Sequence, residues 1–346
     1  MTAPLLAPST PTEPTDPKPS CGAMSMEVWC FGAGGMAGSS LDDLVAHLDD
    51  ETRVSWVDAT GCDWSALDAL TLRLGLTGAA SRPDHRAHHR PRLEAFADHA
   101  RATIIVPRLG ERTLPVQEVI VLITDRFLVF AHDEPLAFRE RVEERAAQHP
   151  RIVAADSAFL LFILLDEWLH EVEGITEDLD ERIEDMEERA IRDTSEAFLD
   201  DLVDLKELGF DLSQTVDRHH AVFDAMLNPD FPFVAGEVVE NHYRDLSRRF
   251  ERRVSALKGG RDAINNALSI FSSSTAYRTN RIITLLTVIS TVLMPMNVIF
   301  AFFGTNFVDL PLFTTPAFVI MWAAVVVVTA LIVALLAKRG WLRDGL

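Results

Sequence analysis

Two long apolar segments, residues 282–303 and 316–337, constrain this chain more than any other feature. Each exceeds the roughly 20 residues a helix needs to cross a hydrocarbon core at about 1.5 Å per residue. The connection between them is about a dozen residues and opens with Phe303-Gly304-Thr305-Asn306. The two spans are therefore predicted to form a transmembrane hairpin. Arg278 and Arg281 precede the first span, Lys338, Arg339 and Arg343 follow the second, and the loop between carries only Asp309. Basic flanks stay on the cytoplasmic side, so both termini are expected in the cytoplasm and the loop outside. Two helices cannot enclose a pore by themselves.

The remaining length leaves room for one sizeable soluble domain. A net charge of −20 argues against nucleic acid as a partner, because phosphate binding needs the opposite sign. An acidic surface suits cation attraction, and it also serves solubility alone. Cys21, Cys30 and Cys62 form no CxxC pair and no even disulfide framework, and read as reduced thiols. Residues 1–20 are rich in Pro and Thr with no continuous apolar run, so the C-terminal spans are expected to direct insertion.

Residues 1–25 read as a disordered tail. Over 26–150, β-branched and aromatic runs at 54–57, 102–106, 119–123 and 127–130 predict strands, and 41–49, 64–74 and 135–147 predict helices. The expected fold class is α+β, a cytoplasmic domain with a mixed sheet covered by helices. Residues 151–235 read as an acidic helical pair broken at Asp193-Thr194-Ser195, where Thr194 or Ser195 can cap the second helix. Between Asp166 and Asp211 there are 19 Asp/Glu against four Arg/Lys. From 236 to 281 a stalk helix is predicted, free of proline until Pro295 and basic at Arg244, Arg248, Arg249, Arg252, Arg253 and Lys258. Continuous with the first span, it would run on the order of 100 Å at about 1.5 Å per residue. Its charge calls for partners of opposite sign, and the acidic pair supplies them. The spans, an external loop over 304–315 and a basic tail over 338–346 complete the chain.

The first span is not uniformly apolar. Asn280, Ile283, Thr287, Ser290, Met294, Asn297 and Ala301 fall on one stripe at about 100° per residue, with Thr284 and Thr291 at its edge. Polar side chains inside a bilayer turn to protein or water. The threonines can instead bond their own backbone carbonyls, whereas the Asn297 amide needs outside partners. Between Ala317 and Ala337 the second span has only the hydroxyl of Thr329, and reads as the lipid-facing partner. One striped helix lines a path only within a ring, so a homo-oligomer in the lipid bilayer is expected. Neutral amides and hydroxyls would meet a hydrated ion without holding it tightly.

These residues resemble the CorA family of divalent-cation transporters, including its ZntB-like zinc branch. The resemblance rests on Asn280 to Leu342, with Leu286-Thr287, Met294-Pro295, Gly304-x-Asn306 and Lys338-Arg339-Gly340-Trp341-Leu342. Upstream it includes the runs 89–94 and 127–132, then Glu134-Pro135 and Tyr243-Arg244-Asp245, in the family's order. It implies a funnel-shaped homopentamer whose stalk helix continues into the pore. By position it implies pore-facing Asn280, Met294 and Asn297, and a hydrophobic constriction near Ile283 and Leu286. Gly304 and Asn306 match the outer mouth, and Lys338 and Arg339 form a cytoplasmic basic ring. Asp245 matches a carboxylate that binds regulatory cation between subunits, while Asp84 stands one residue out of register with its family partner. The family's usual turn is Tyr-Gly-Met-Asn, so Phe303 and Thr305 depart from it. Gly304 still permits a tight turn and Asn306 still offers an amide oxygen.

Other constellations carry less chemistry. His85, His88 and His89 look like a zinc site but stand among Arg82, Arg86, Arg90 and Arg92, whose like charge disfavours a metal, and read rather as a solvated basic loop. His219-His220, near Asp217 and Asp224, reads either as metal-sensing or as structural. Asp166 and Glu167 show no nucleophile or base arrangement, and no HExxH, triad or GKS/GKT loop is present. No enzyme and no cofactor are expected; a divalent cation is cargo and regulatory ligand. Three readings stand: passive divalent-cation transport, Mg²⁺ foremost with Co²⁺ or Ni²⁺; Zn²⁺ transport coupled to protons; and a non-conducting membrane-anchored metal sensor or scaffold.

Overall fold

The computed structural model describes residues 24–32, 34–77, 90–149, 153, 157–227, 231, 237–304 and 315–338. Among the described residues seven strands form one sheet: β1 (Ser25–Gly32), β2 (Gly35–Ser39), β3 (Val54–Thr60), β4 (Arg92–Ala95), β5 (Ala100–Pro107), β6 (Val116–Ile123) and β7 (Phe127–His132). Their order is β2-β1-β3-β7-β6-β5-β4. Only β3 and β7 pair in parallel, with Ser55 opposite Phe127 and Thr60 opposite His132. The sheet is therefore mixed.

Alternation along the strands divides the core into two faces. Val57, Ala59, Leu122, Val129 and Ala131 pack under α1 (Leu41–Ala46) and α2 (Trp64–Arg73) through Leu44, Leu67 and Leu70. Asp63 caps α2, accepting the Ala66 N–H at 2.8 Å. The opposite face carries Trp56, stacked at 4.5 Å on its cross-strand partner Trp29 and 5.3 Å from Phe130.

After α3 (Arg139–Gln148) the helices lengthen: α4 (Ser157–Ala190), α5 (Glu196–Asp217), the short α6 (His220–Met226), α7 (Glu237–Gly304) and α8 (Thr315–Lys338). The first part of α4 is buried on every side, from Ala158 through Leu165 to Trp168 and Val172, as a helix inside a core must be. Ser195 caps α5 by accepting the Phe198 N–H at 3.2 Å, while Asp193 accepts the Ser195 N–H at 2.9 Å.

The chain divides into two compact units. The first holds the described residues up to Glu177 together with Phe210–Lys258. The second holds Asp178–Gly209 and the described residues from Gly259 onward. Within the first, α7 buries Tyr243, Leu246, Phe250, Val254 and Leu257 at helical spacing. The Tyr243 hydroxyl donates to the Ala158 carbonyl at 3.0 Å. Within the second, Phe271 meets Phe198 at 5.8 Å and the turn after α4 is tied to α7. There Ser274 donates to the Ile191 carbonyl at 3.1 Å, and Arg278 donates to Thr194 Oγ1 at 2.8 Å and to the Arg192 carbonyl.

Candidate functional site

The last third of α7 and the whole of α8 are long and apolar enough to cross a membrane. α8 covers one side of α7. Phe300 and Trp322 meet nearly edge to face at 6.1 Å, and Val325 is buried in the seam. The α7 residues that lose exposure are Thr284, Val288, Val292, Pro295, Met296 and Ile299. Asn280, Ile283, Thr287, Ser290, Met294, Asn297 and Ala301 are all exposed in the single chain, Met294 at 71% and Ile283 at 56%. Leu286 is exposed as well, at 64%. The stripe with the polar residues is thus the side that α8 leaves uncovered. Thr284, placed at the stripe's edge by periodicity, turns instead toward α8.

The threonine hydroxyls bond their own helix. Thr284 donates to the Asn280 carbonyl at 2.9 Å, Thr287 to Ile283 at 2.7 Å and Thr291 to Thr287 at 2.7 Å. Each spends its one proton on the backbone, so the oxygen of Thr287 presents lone pairs to the exposed stripe. Such an oxygen accepts from the hydration water of a cation and has no proton to offer an anion.

α7 extends through Gly304, while Thr305 and Asn306 lie outside the described residues, as does the Phe303 side chain. Lys338 ends α8; Arg339 lies outside. Asp84 and the cluster of His85, His88 and His89 lie outside too.

Asp245 stands on α7 two residues after the inward-facing Tyr243. Its side chain is 64% exposed, with Arg248 one turn on at 3.6 Å. Among the described residues no group of three or more His, Cys, Asp or Glu can hold a metal ion. Asp245 is thus a single carboxylate facing outward from this chain.

The structure removes His219 from the metal-binding candidates. It is fully buried, its Nδ1–H donates to the Thr215 carbonyl at 2.9 Å, and its Nε2 accepts the Ile105 N–H at 3.0 Å. Burial pushes its pKa down to about 3, keeping the ring neutral. The cause lies in the sheet: β4 pairs with β5 only from Ala100 to Thr103, so Ile105 lacks a strand partner on that edge. His219 takes its N–H and Trp168 Nε1 donates to its carbonyl at 3.0 Å. His220 instead pairs with Glu251 at 3.3 Å.

Asp166 and Glu167 belong to a buried ionic cluster. Arg145 reaches both at 2.6 Å, Arg141 reaches Glu167 at 2.8 Å, and Arg249 on α7 joins Asp166. Arg253 adds Glu173 at 3.1 Å, and Lys258 pairs with Asp217 at 3.1 Å. Burial alone would raise the Glu173 carboxyl, but the Arg253 hydrogen bond and the Arg253 and Arg249 charges hold it below its usual value. The basic stretch of α7 and the acidic helices are therefore partners, as their charges require. Cys30 and Cys62 are free thiols, and burial followed by Asp63 and Asp133 pushes Cys62 up to about 11, which leaves it inert.

A family-wide sequence pattern described as CorA-like Mg²⁺ transporter protein matches residues 51–339. The cobalt/magnesium transport protein CorA of Thermotoga maritima is 21% identical over 305 residues, 87% of either chain. The complete structure of the CorA magnesium transporter from Methanocaldococcus jannaschii superposes with a TM-score of 0.78 at 18% identity, covering 91% of this chain and 98% of that one. The ZntB cytoplasmic domain from Vibrio parahaemolyticus superposes with a TM-score of 0.56 at 10% identity, over 72% of this chain and 97% of that domain.

Proposed function

This chain belongs to the CorA-like Mg²⁺ transporter family, and on that footing we propose that it passes divalent cations, Mg²⁺ foremost, through a homopentameric pore walled by α7. One observation carries the reading. The polar stripe from Asn280 to Ala301 lies on the side of α7 that its own hairpin partner leaves uncovered. A ring of copies turns that side inward and leaves α8 to lipid. Amides at Asn280 and Asn297 and hydroxyl oxygens at Thr287 and Ser290 then face hydrated ions in succession, while Ile283, Leu286 and Met294 narrow the path. Conduction needs contacts of this strength, enough to replace bulk water and too weak to trap the ion.

Gly304 and Asn306 form the outer mouth in this reading, and Lys338 and Arg339 ring the cytoplasmic side. Basic flanks place both termini in the cytoplasm. Asp245 acts as the internal sensor: with cation bound between subunits the pore is closed, and release opens it. Its exposure on α7 supports that role. The altered turn, Phe303 and Thr305, favours a second reading within transport, Zn²⁺ movement coupled to protons.

Flux into proteoliposomes separates these readings. Uptake of Mg²⁺, with Co²⁺ or Ni²⁺ as further substrates, is expected. Zn²⁺ uptake driven by a pH gradient would replace this reading by the second, and flat traces for every ion would leave a sensor or scaffold. Asn306→Ala should abolish uptake while the detergent-solubilised particle keeps its mass. Asp245→Ala should leave uptake less sensitive to internal cation.

A further inference from the structure

The hydroxyl of Thr329 is the exception among the threonines described within the two spans. Thr284, Thr287 and Thr291 each donate to the carbonyl four residues back. Thr329 Oγ1 is buried and has no hydrogen-bond partner. A buried hydroxyl without an acceptor is destabilising, and no water competes for it inside a bilayer.

α7 carries the complementary deficit. Pro295 lies inside the helix and has no N–H, so the Thr291 carbonyl loses its usual donor four residues on. Both deficits face the seam between the helices. Pro295 is on the half-buried side of α7, and Thr329 follows the buried Val325 by one turn of α8.

They also lie at one level. Phe300 touches Trp322, and α8 returns antiparallel to α7. Counting equal numbers of residues from that contact, back along α7 and forward along α8, brings Leu293 level with Thr329. A helical carbonyl oxygen sits about 2 Å beyond its own Cα toward the C-terminus, so the Thr291 oxygen reaches this level.

We propose that Thr329 is the donor for the Thr291 carbonyl. The bond is unmade in the present structure and forms when α7 bends at Pro295, the form that prevails in bilayer and detergent. Thr329 is then a positioning residue. Making or breaking the bond moves Asn297 and Ala301, beyond the proline, relative to Thr287 and Ser290 before it. Neighbouring helices and Ser/Thr side chains commonly take up carbonyls freed by a membrane proline. The stability arm of the test is independent of which ion moves, or of whether any does.

The test is a double-mutant cycle in the full chain, read by melting in detergent and by cation flux. Thr329→Val removes the donor at nearly constant shape and should lower the melting midpoint by roughly 2–4 °C, while Thr329→Ser should restore it. Pro295→Ala returns an N–H to the Thr291 carbonyl, so adding Thr329→Val in that background should no longer lower the midpoint and should leave flux unchanged. Equal losses in both backgrounds, or failure of serine to rescue, would overturn the proposal. Should Pro295→Ala fail to fold, infrared spectra of protein labelled with ¹³C at threonine carbonyls decide. A difference band between wild type and Thr329→Val is expected, and superimposable spectra would overturn the assignment.

Discussion

Between Val239 and Phe271, α7 buries nine side chains and anchors three of its basic residues on acidic partners. Between Asn280 and Phe302 the same helix buries none fully, and half-buries only the side toward α8. The first stretch is an ordinary core helix, its apolar residues at three- and four-residue spacing and its charges paired. The second has apolar residues nearly all round and a polar stripe where a core helix would bury its face. The contrast teaches where each half meets its surroundings: the first is completed within one chain, and the second leaves its polar stripe uncovered in a single chain, the side that the proposed ring would close.

The largest expected effect lies in the completed half. Phe250 is fully buried and stacks on Phe223 at 4.3 Å. Phe250→Ala should destabilise the protein by about 3–5 kcal/mol, measured by denaturant unfolding. A loss below about 1 kcal/mol would break the comparison, since it would put this stretch on the same footing as the membrane stretch.

Next is His219, at the sheet edge. Its folded pKa is depressed to about 3, so the unfolded chain takes up the proton first. Its contribution to stability is present above the ordinary value of 6.5 and is lost as pH falls toward 3. The loss should reach roughly 3–5 kcal/mol at the acid end, and His219→Gln should flatten that slope. A slope that survives the substitution would place the acid-sensitive group elsewhere.

Glu173 is a smaller case of the same sign. Arg253 and Arg249 hold its carboxyl below 4.5 in the folded state, so its contribution is present above that pH and lost on further acidification. Glu173→Gln should lower stability by about 1–2 kcal/mol at neutral pH and make no difference in strong acid. In the membrane stretch, Asn297→Ala should change stability by no more than about 0.5 kcal/mol while reducing cation flux several-fold. A stability loss on the scale of Phe250→Ala would mean that Asn297 is a packing residue.

What could be read from the residues alone followed the range of the interactions. The stripe on α7 was legible because helix periodicity is local, whereas which of its residues α8 covers was not, since the second span has almost nothing polar and reads only as a lipid-facing partner. Strands β3, β5, β6 and β7 announced themselves through β-branched and aromatic runs. β1, β2 and β4 escaped: β2 is Gly35-Met36-Ala37-Gly38-Ser39 and β4 is Arg92-Leu93-Glu94-Ala95, both edge strands with little side-chain signal, and β1 starts at Ser25, within the stretch read as a tail. The role of His219 was hidden because it depends on where β4 stops pairing with β5, and the donor it meets there, Ile105, is 114 residues away in sequence. The ionic cluster joins Asp166 to Arg249 across 83 residues; charge balance named the helices, but no local pattern could name the pairs. The Thr329 deficit is legible only once two antiparallel spans are set in register.

In the proposed pore the uncovered stripe of α7 is the wall of the cation path. Two cysteine variants in proteoliposomes test it, Ser290→Cys on the stripe and Val288→Cys on the side covered by α8, each treated with a charged, membrane-impermeant thiol reagent during Mg²⁺ uptake. The reagent should block uptake by Ser290→Cys and leave Val288→Cys and the wild type unaffected. Block at Val288→Cys with none at Ser290→Cys would contradict it.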